Sequence, residues 1–382
     1  MTSVASPTVP FNEPFVAPGA ARNALAALSS SHQSGDGPWT SDVTRKLKAL
    51  AGHAELFLTT SGTHALELAC MSLGLGPGDE VVVPSFTFTS TATAPWRTGA
   101  TVRFADVDAQ SLSLTPETVE PVLSPRTRAV IVVHYAGIAD RPDTLAALVR
   151  ERAVALIEDN AHGLGGSWEG QPLGTFGALS AMSFHETKNL QCGEGGALGV
   201  NDLGLVPDCE AIREKGTNRS RFFRGEVDKY TWVNTGSSFL PAEILAAILS
   251  AQVDAFEQSQ QRRHTAWSAY EEGLIDWAER TDFALPVVPP EAAHPAHLFH
   301  LLAPTEADQA RLISHLRNRG VQAPFHYQPL HASPAGRLAA GGRPDDCPVS
   351  LSVASRLLRL PMYPSLTAEQ VGVVIDAVRS FR

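Results

Sequence analysis

Sulfur and long apolar runs are scarce in this chain, and their scarcity excludes several classes of protein. The 382 residues include only four cysteines, Cys70, Cys192, Cys209 and Cys347, and no two of them form a CxxC pair. Such isolated cysteines indicate reduced thiols in a cytoplasmic protein rather than disulfides or a zinc site. No apolar stretch approaches the length that spans a bilayer, and the N-terminus lacks the basic and apolar segments of a signal peptide. We therefore expect a cytoplasmic protein that binds no metal and no membrane.

The chain also lacks basic character and internal repeats. Its formal net charge is -10, which disfavours nucleic acid as the main partner. The only biased tract is a Ser/Gly-rich patch near residues 29–37. Hydrophobic residues make up 43% of the chain and charged residues 18%, which is the balance of an ordinary globular protein. A chain of this length can form a large domain and a smaller one.

Short β-rich runs alternate with helical ones through most of the chain. The predicted strands are residues 80–84, 129–134, 154–158, 179–184 and 197–200, and predicted helices between or before them are 65–73, 90–98, 116–123 and 142–151. Continuous apolar strands that alternate with helices predict an α/β fold with a mostly parallel sheet. We expect an N-terminal arm and helix (1–30), a large domain (31–255) and a smaller C-terminal α+β domain (256–382). Ligands of such sheets bind beyond the carboxyl ends of the strands.

Lys188 lies where a predicted strand leaves the core. The apolar run 179–184 precedes it, and the glycine-rich run 192–196 follows it. A poorly hydrated ammonium at such a turn has a lowered pKa and becomes a nucleophile towards an aldehyde. Most loop lysines are solvated surface charges, so the case for Lys188 depends on the residues that accompany it.

Two of the accompanying motifs also lie at the ends of predicted elements. Asp159 follows the strand 154–158, and Ser61, Gly62 and Thr63 begin a predicted helix. Backbone N–H groups at a helix start can bind phosphate, although a plain N-cap is the simpler explanation for that segment alone. A lysine, a phosphate site and a buried carboxylate together suit pyridoxal 5′-phosphate (PLP), because the carboxylate keeps the pyridine nitrogen protonated.

The remaining cofactor contacts are predicted from the groups that PLP presents. Phe88 can stack on the ring, and His162 can bond its phenolic oxygen. Ser183 can join the helix start in holding the phosphate. His185, three residues before Lys188, is the third catalytic candidate beside Lys188 and Asp159.

A basic and aromatic segment stands out in this otherwise acidic chain. Arginines and lysines are concentrated in residues 213–225, and aromatic residues are interleaved with or follow them up to Trp232. A solvated loop is the simpler explanation for a generic protein, but exposed aromatic rings suit a site for an anionic, ring-containing ligand better. A second loop, 326–331, carries two histidines. The predicted substrate contacts are Arg219, Arg224, Lys229, Tyr230, His326, Tyr327 and His331.

At these motifs the chain resembles the DegT/DnrJ/EryC1/StrS family, fold-type I aminotransferases that act on nucleotide-linked keto sugars. The resemblance runs nearly end to end and is specific at residues 84–88, 158–162, 183–189 and 193–196. It implies a large PLP domain with a mostly parallel sheet and a smaller C-terminal α+β domain. It also implies a homodimer whose active sites use residues of both chains, with L-glutamate as the amino donor and Lys188 as the group that holds the cofactor and moves the proton.

Within the family, the segments 213–220, 222–225, 227–232 and 326–331 resemble the branch that makes dTDP-4-amino-4,6-dideoxygalactose. The implied reaction is amination at C4 of a dTDP-linked 4-keto-6-deoxy sugar. The alternatives are a nucleotide-linked 4-keto pentose and amination at C3 of a keto hexose. Two other classes of the family are disfavoured. PLP-dependent sugar dehydratases have histidine in place of the anchoring lysine, so the presence of Lys188 argues against this class. The intact Asp159–Lys188 pair argues against a non-catalytic regulator.

One segment departs from the wider family. Many members read Gly-x-Asn-Tyr-Arg after the position of Trp232, and that asparagine reaches the cofactor phosphate of the neighbouring subunit. This chain reads Gly-Ser-Ser-Phe-Leu at residues 236–240. In this chain the hydroxyl of Ser238 takes the place of that asparagine as the implied hydrogen-bond donor to the cofactor phosphate.

Overall fold

Strands and helices alternate through the first two thirds of the chain in the computed structural model, which describes residues 9–342 and 346–382. The first residues of the predicted arm lie outside this range. The main strands are β1 (Glu55–Thr59), β2 (Glu80–Pro84), β3 (Thr101–Ala105), β4 (Thr127–Val133), β5 (Ala155–Asp159), β6 (Leu179–Ser183), β7 (Gly196–Val200), β8 (Phe299–Leu302) and β9 (Leu357–Leu360). Shorter strands at Ser167–Trp168, Gln171–Pro172 and Ala292–Ala293 form a small separate sheet.

The α-helices lie between and after these strands. In chain order they are α1 (Ala20–Leu28), α2 (Pro38–Ala51), α3 (Gly62–Ser72), α4 (Thr89–Arg97), α5 (Pro116–Val119), α6 (Pro142–Glu151), α7 (Val206–Arg213), α8 (Arg219–Phe223), α9 (Glu243–Asp254), α10 (Phe256–Thr281), α11 (Glu306–Arg317), α12 (Pro334–Ala339), α13 (Pro348–Arg356) and α14 (Ala368–Arg379). Turns of 3₁₀-helix occur at Glu120–Val122, Tyr135–Gly137, Leu203–Leu205 and Leu330–Ala332.

Seven strands form the central sheet in the order β1-β7-β6-β5-β4-β2-β3. Strand β7 runs antiparallel to its neighbours β1 and β6, and the other pairs are parallel. The prediction of a mostly parallel sheet is therefore confirmed. The sequence analysis missed the two edge strands, β1 and β3. In β3 a charged residue, Arg103, interrupts the apolar pattern, and it is mostly buried and faces Glu80 of β2 at 4.0 Å.

The buried side chains form several groups, and two large ones lie in different parts of the interior. Helices α3 and α4 pack against the central sheet around residues such as Val83, Ile131 and Leu198. The second group joins α10, α11 and α14 to the β8–β9 pair and includes Phe299. Val9 of the arm belongs to this second group. The divisions at residues 30 and 255 remain predictions.

The cysteines and the surface carry few special features. All four cysteines are buried, and none of them forms a disulfide. In the part of the chain that the structure describes, no cluster of His, Cys, Asp and Glu is arranged to hold a metal ion. Within residues 9–342 and 346–382, every helix is too short or too polar to cross a membrane.

The start of α3 packs directly on the edge of β6 and β7, and two glycines make this approach possible. A Cβ on Gly196 would lie 2.3 Å from the carbonyl carbon and oxygen of Ser61. A Cβ on Gly62 would lie 2.8 Å from the Cβ of Ser183. Gly196 is the first residue of β7 and lies in an extended strand. Its lack of a side chain therefore serves packing rather than a turn.

We expect Gly196→Ala to lower the free energy of unfolding by about 1–3 kcal/mol, because the added methyl group meets backbone atoms that cannot rotate away. The matched control is Gly372→Ala in α14, where an added Cβ meets no atom within 4 Å. That control should raise stability by about 0.5–1 kcal/mol. Urea denaturation of the three proteins measures both effects, and equal stabilities of Gly196→Ala and the unmodified protein would contradict the packing argument.

Candidate active site

A cavity of about 730 Å³ lies at the carboxyl ends of β4, β5 and β6. The start of α3 and the segment 87–90 form one side of it. Residues 324–327 and 359–362 come from the C-terminal part of the chain, and Phe11 comes from the arm. This is the position that a mostly parallel sheet predicts for a ligand.

Most of the predicted cofactor and catalytic residues meet in this cavity. Those that line it are Ser61, Gly62, Thr63, Phe88, Asp159, His162, Ser183, His185, Lys188, His326 and Tyr327. The predicted residues that do not line it in a single chain are Arg219, Arg224, Lys229, Tyr230, Ser238 and His331.

Strand pairing brings Lys188 and Asp159 together. Asp159 is the last residue of β5 and pairs with Ala181 of β6, and Lys188 lies in the turn that follows β6. The backbone N–H of Lys188 donates to the carbonyl oxygen of His185 at 2.9 Å, which closes that turn. Burial lowers the pKa of Lys188 to about 8, with the negative charge of Asp159 opposing the shift. About a tenth of the amine is therefore unprotonated and nucleophilic at pH 7, far more than for an ordinary lysine.

The Asp159 carboxylate is almost fully buried and is held from both sides. The Thr91 hydroxyl donates to Oδ2 at 2.8 Å, and the Ala161 N–H donates to Oδ1 at 3.3 Å. Burial raises the pKa of Asp159, although the bond from Thr91 and the charge of Lys188 oppose this shift. A buried carboxylate of this kind is stabilised by a cationic partner, so the site suits a protonated pyridine nitrogen.

The start of α3 offers donors to an anion. The Ser61 hydroxyl accepts from the His64 N–H at 3.1 Å, so the simpler N-cap interpretation is correct for this side chain. The cap does not use the N–H groups of Gly62 and Thr63, which lack intrahelical acceptors as in any first turn. Because Ser183 packs against Gly62, a hydroxyl and free amides line the same corner. This corner can hold a phosphate group.

The side chain of His162 has one nitrogen without a protein partner. Within the described part of the chain, its buried Nδ1 makes no hydrogen bond, whereas its Nε2 lies 3.4 Å from the Tyr327 hydroxyl. Its ring stacks on that of His297 with centroids 4.2 Å apart. Burial lowers the pKa of His162 well below its usual value, so the ring is neutral. The free Nδ1 and the exposed ring of Phe88 suit the phenolic oxygen and the flat ring of PLP, and the whole set of donors fits this cofactor.

The remaining predicted histidines differ in their access to the cavity. His185 lies at the rim, with Nδ1 3.1 Å from the Thr187 hydroxyl and Nε2 3.9 Å from the Glu194 carboxylate. His326 stacks on Tyr327 with centroids 3.6 Å apart. His331 contacts Ser85 instead and does not line the cavity.

The basic segment lies outside the cavity of its own chain. Arg219 forms an ion pair with Glu214 at 3.2 Å, and Arg224 forms a pair with Glu210 at 2.7 Å. The predicted substrate residues Lys229 and Tyr230 and the predicted phosphate ligand Ser238 are exposed on the surface. The roles of these residues remain predictions.

Sequence reasoning missed several residues that shape the cavity. Thr91 lay inside a predicted helix, and nothing marked it as the donor to Asp159. Asn189 belongs to the Lys188 motif, and its side chain oxygen lies 2.8 Å from Nδ1 of His297. Arg359 lines the cavity from β9, where a lone cation in the apolar run 357–360 was a signal that could have been recognised.

Comparison with known proteins identifies the family of the chain. The model of the DegT/DnrJ/EryC1/StrS aminotransferase family matches residues 19–379. Spore coat polysaccharide biosynthesis protein SpsC from Bacillus subtilis (strain 168) is 28% identical over 378 residues, which are 97% of this chain and 96% of SpsC. The structure of S. venezuelae DesV is 31% identical, with a TM-score of 0.85 over 94% of this chain and 93% of DesV.

A third relative shares the fold at lower identity. Spr1654 from Streptococcus pneumoniae is 23% identical and was solved in a PLP-form and a PMP-form. The TM-scores are 0.88 and 0.89, over 98% of this chain and 98% and 97% of the two Spr1654 chains. The chain therefore belongs to the DegT/DnrJ/EryC1/StrS aminotransferase family, and it is a PLP-dependent aminotransferase with the α/β fold of that class.

Proposed function

We propose that the enzyme moves an amino group from L-glutamate to C4 of a dTDP-linked 4-keto-6-deoxy sugar, which gives a dTDP-4-amino-4,6-dideoxyhexose. The observation that carries amino transfer is the pair of Lys188 and Asp159 in one cavity, at the ends of adjacent strands. The choice of substrate is supported by the resemblance of segments 213–232 and 326–331 to the branch that makes such a sugar. SpsC, a relative over the whole chain, is named for polysaccharide biosynthesis.

Each part of the site has a separate task in this reaction. Bound PLP would supply an electron sink, which accepts the electron pair released when the C–H bond at the amino-bearing carbon breaks. Asp159 holds the proton on the ring nitrogen, which its buried carboxylate favours. The amine of Lys188 takes and returns the proton at the reacting carbon, a task for which its lowered pKa suits it. The start of α3 and Ser183 hold the phosphate.

We also propose a homodimer in which each chain completes the cavity of the other. The support is a patch of exposed apolar side chains in the basic segment: Phe223 is 68% exposed and Trp232 77%. Contiguous exposed aromatic residues of this kind mark interaction surfaces. A partner chain that covers the patch would bring Arg219, Arg224 and Ser238 towards a cavity that they do not reach in their own chain. The expected compartment is the cytoplasm, where buried thiols stay reduced.

The sugar itself has two competing identities. A nucleotide-linked 4-keto pentose lacks only the C6 methyl group, and one such group is worth about 1–3 kcal/mol of discrimination in an apolar pocket. Amination at C3 of a keto hexose is the other alternative. We favour C4 of a hexose because the resemblance includes the segments assigned to the sugar nucleotide, beyond the cofactor motifs that the whole family shares.

Replacement of Lys188 by alanine should abolish turnover, because the chain then lacks the amine that holds the cofactor and moves the proton. Borohydride reduction of the unmodified enzyme, followed by peptide mass spectrometry, should find the cofactor on the peptide that contains Lys188. Lys48→Ala is the control, since Lys48 pairs with Glu55 away from the cavity and its loss should leave turnover unchanged. Cofactor fixed to any other lysine would refute this role.

Asp159→Asn should lower turnover by at least about a hundredfold, because the amide keeps the shape but loses the charge that stabilises the ring cation. Steady-state kinetics with saturating cofactor measure the effect. The control is Asp143→Asn in the first turn of α6, an exposed carboxylate that should tolerate the change. Turnover of Asp159→Asn close to that of the unmodified enzyme would exclude the proposed role.

Incubation of the enzyme with L-glutamate and dTDP-4-keto-6-deoxyglucose should give a product with nitrogen at C4. NMR of the purified product identifies the aminated carbon and its configuration, which we expect to be galacto. A parallel incubation with a nucleotide-linked 4-keto pentose serves as the comparison. Nitrogen at C3, or turnover of the pentose without turnover of the hexose, would show that the proposed substrate is wrong.

A further inference from the structure

The side chain of Asn189, the residue after Lys188, makes three hydrogen bonds to α10 and to the segment before β8. Its Nδ2 donates to the carbonyl oxygen of Pro295 at 2.7 Å and to Oε1 of Gln260 at 3.0 Å. Its Oδ1 lies 2.8 Å from Nδ1 of His297. Asn189 is buried, so the loss of any of these bonds would leave an unpaired polar group, which is costly. The four residues, called the clamp below, tie the turn that carries Lys188 to the C-terminal part of the chain.

The proton positions in the clamp follow from the groups that can only accept. A carbonyl oxygen cannot donate, so the amide nitrogen of Asn189 faces Pro295, and its two N–H groups are used by Pro295 and Gln260. The amide oxygen of Asn189 is an acceptor, so Nδ1 of His297 carries a proton and donates it. Burial lowers the pKa of His297 well below its usual value, so the ring is neutral. The clamp therefore fixes a single tautomer of His297.

The backbone of the segment that carries His297 is strained. Ala296 has a φ of 46°, in the left-handed region that residues other than glycine rarely adopt. Such a conformation costs free energy and persists only where neighbouring contacts enforce it. Among these contacts, Arg263 donates to the carbonyl oxygen of His297 at 3.2 Å, and Gln260 donates to that of Pro295 at 3.0 Å. Strain that is enforced in this way is typical of segments whose geometry serves a function.

Two residues of the cavity depend on the clamp for their position. Lys188 is bonded covalently to Asn189, so the clamp fixes the backbone from which the Lys188 side chain extends. His162 stacks on His297, with ring centroids 4.2 Å apart and ring planes at 25°. Both Lys188 and His162 line the cavity. Asn189 and His297 therefore support the two groups that are proposed to contact the aldehyde group and the phenolic oxygen of PLP.

We propose that Asn189 and His297 are positioning residues of the amino-transfer reaction, which hold the Lys188 turn and the His162 ring in place beside the bound cofactor. This inference rests on the proposed role of Lys188. During turnover the Lys188 side chain must leave the cofactor, move the proton and return, and the clamp keeps its backbone still throughout. A displacement of about 1 Å at a reacting group can lower a rate by about a hundredfold. Asn189 and His297 thus act through their neighbours.

The first test removes the amide of the clamp and compares it with a matched amide elsewhere. Asn189→Ala should lower the maximal rate at which glutamate converts the PLP-loaded enzyme by about a hundredfold, without a change in the glutamate concentration that gives half of this rate. The control is Asn201→Ala, because the Asn201 side chain also donates to two backbone carbonyl groups and pairs with Nδ1 of a histidine, His53. Asn201 does not line the cavity, so its loss should leave the rate unchanged.

Two replacements of His297 separate its ring from its proton. His297→Phe keeps a ring against His162 but removes the donor to Asn189, so the maximal rate should fall as it does in Asn189→Ala. His297→Asn keeps an N–H donor near the position of Nδ1 and should recover part of the rate. Thermal melts show which variants are folded at the assay temperature.

Capture of PLP by the cofactor-free chain gives a readout that does not need turnover. The neutral amine of Lys188 is the reacting form, and burial lowers the pKa of Lys188 to about 8. The charged and titratable groups that act on this amine come from several elements: Asp159 of β5, Arg359 of β9, and the neutral rings of His162, His297 and His326. A loosened turn admits water and weakens the effect of burial. In Asn189→Ala the midpoint of the capture rate against pH should therefore rise towards the ordinary lysine pKa of about 10.4, and in Asn201→Ala it should not.

The outcomes separate this inference from the proposed function. If borohydride fixes the cofactor on Lys188, equal rates and equal capture midpoints in Asn189→Ala and Asn201→Ala would overturn the inference alone. A loss of rate in folded His297→Asn as complete as in His297→Phe would overturn the role of the Nδ1 donor. Cofactor fixed on another lysine would refute the role of Lys188 and the inference with it. A slowed glutamate half-reaction and a raised midpoint in Asn189→Ala, in an enzyme that does not aminate the dTDP sugar, would support the inference and refute the proposed sugar substrate.

Discussion

The parallel pairing of β5 with β6 is the constraint on which the rest of the site depends. It places the carboxylate of Asp159 and the turn that carries Lys188 at the same edge of the sheet. The antiparallel strand β7 then lies beside β6, and its first residue, Gly196, lets the start of α3 pack against the same edge. An acid, an amine and a phosphate corner thus meet because three neighbouring elements end at one point. No single motif could assemble them.

Burial gives these groups their chemical properties. It raises the pKa of Asp159 and lowers the pKa of Lys188, so each charged form is less stable than it would be in water. Bound PLP would offset both effects, because its ring nitrogen would supply the cation that Asp159 lacks and the neutral amine of Lys188 would hold its aldehyde group. The same low-dielectric surroundings keep His162 neutral. The cavity is therefore organised electrostatically for a group of defined charge and shape.

The arginines of the basic segment and the arginine of the cavity have different surroundings. In the basic segment, Arg219 and Arg224 are exposed and paired with glutamates of the same surface, so solvent and these partners screen them. Arg359 is partly buried and lines the cavity, with no carboxylate partner in the described residues. A local excess of arginine in the sequence therefore did not identify the arginine that lines the cavity. Burial and the absence of a partner identified it.

The sequence by itself determined the sheet class, the family and the motifs that are proposed to hold the cofactor. These features depend on contiguous residues: an apolar run followed by Asp159 or Lys188, and a hydroxyl–glycine segment before a helix at Ser61. The tertiary structure decided which distant residues join them. Thr91 and Arg359 enter the site because their elements pack across the cavity. Thr91 lies in an ordinary helical pattern, and the lone cation in the apolar run 357–360 marks Arg359 without showing what it faces. Contacts between residues far apart in the chain depend on how the elements pack, and local patterns carry no information about that.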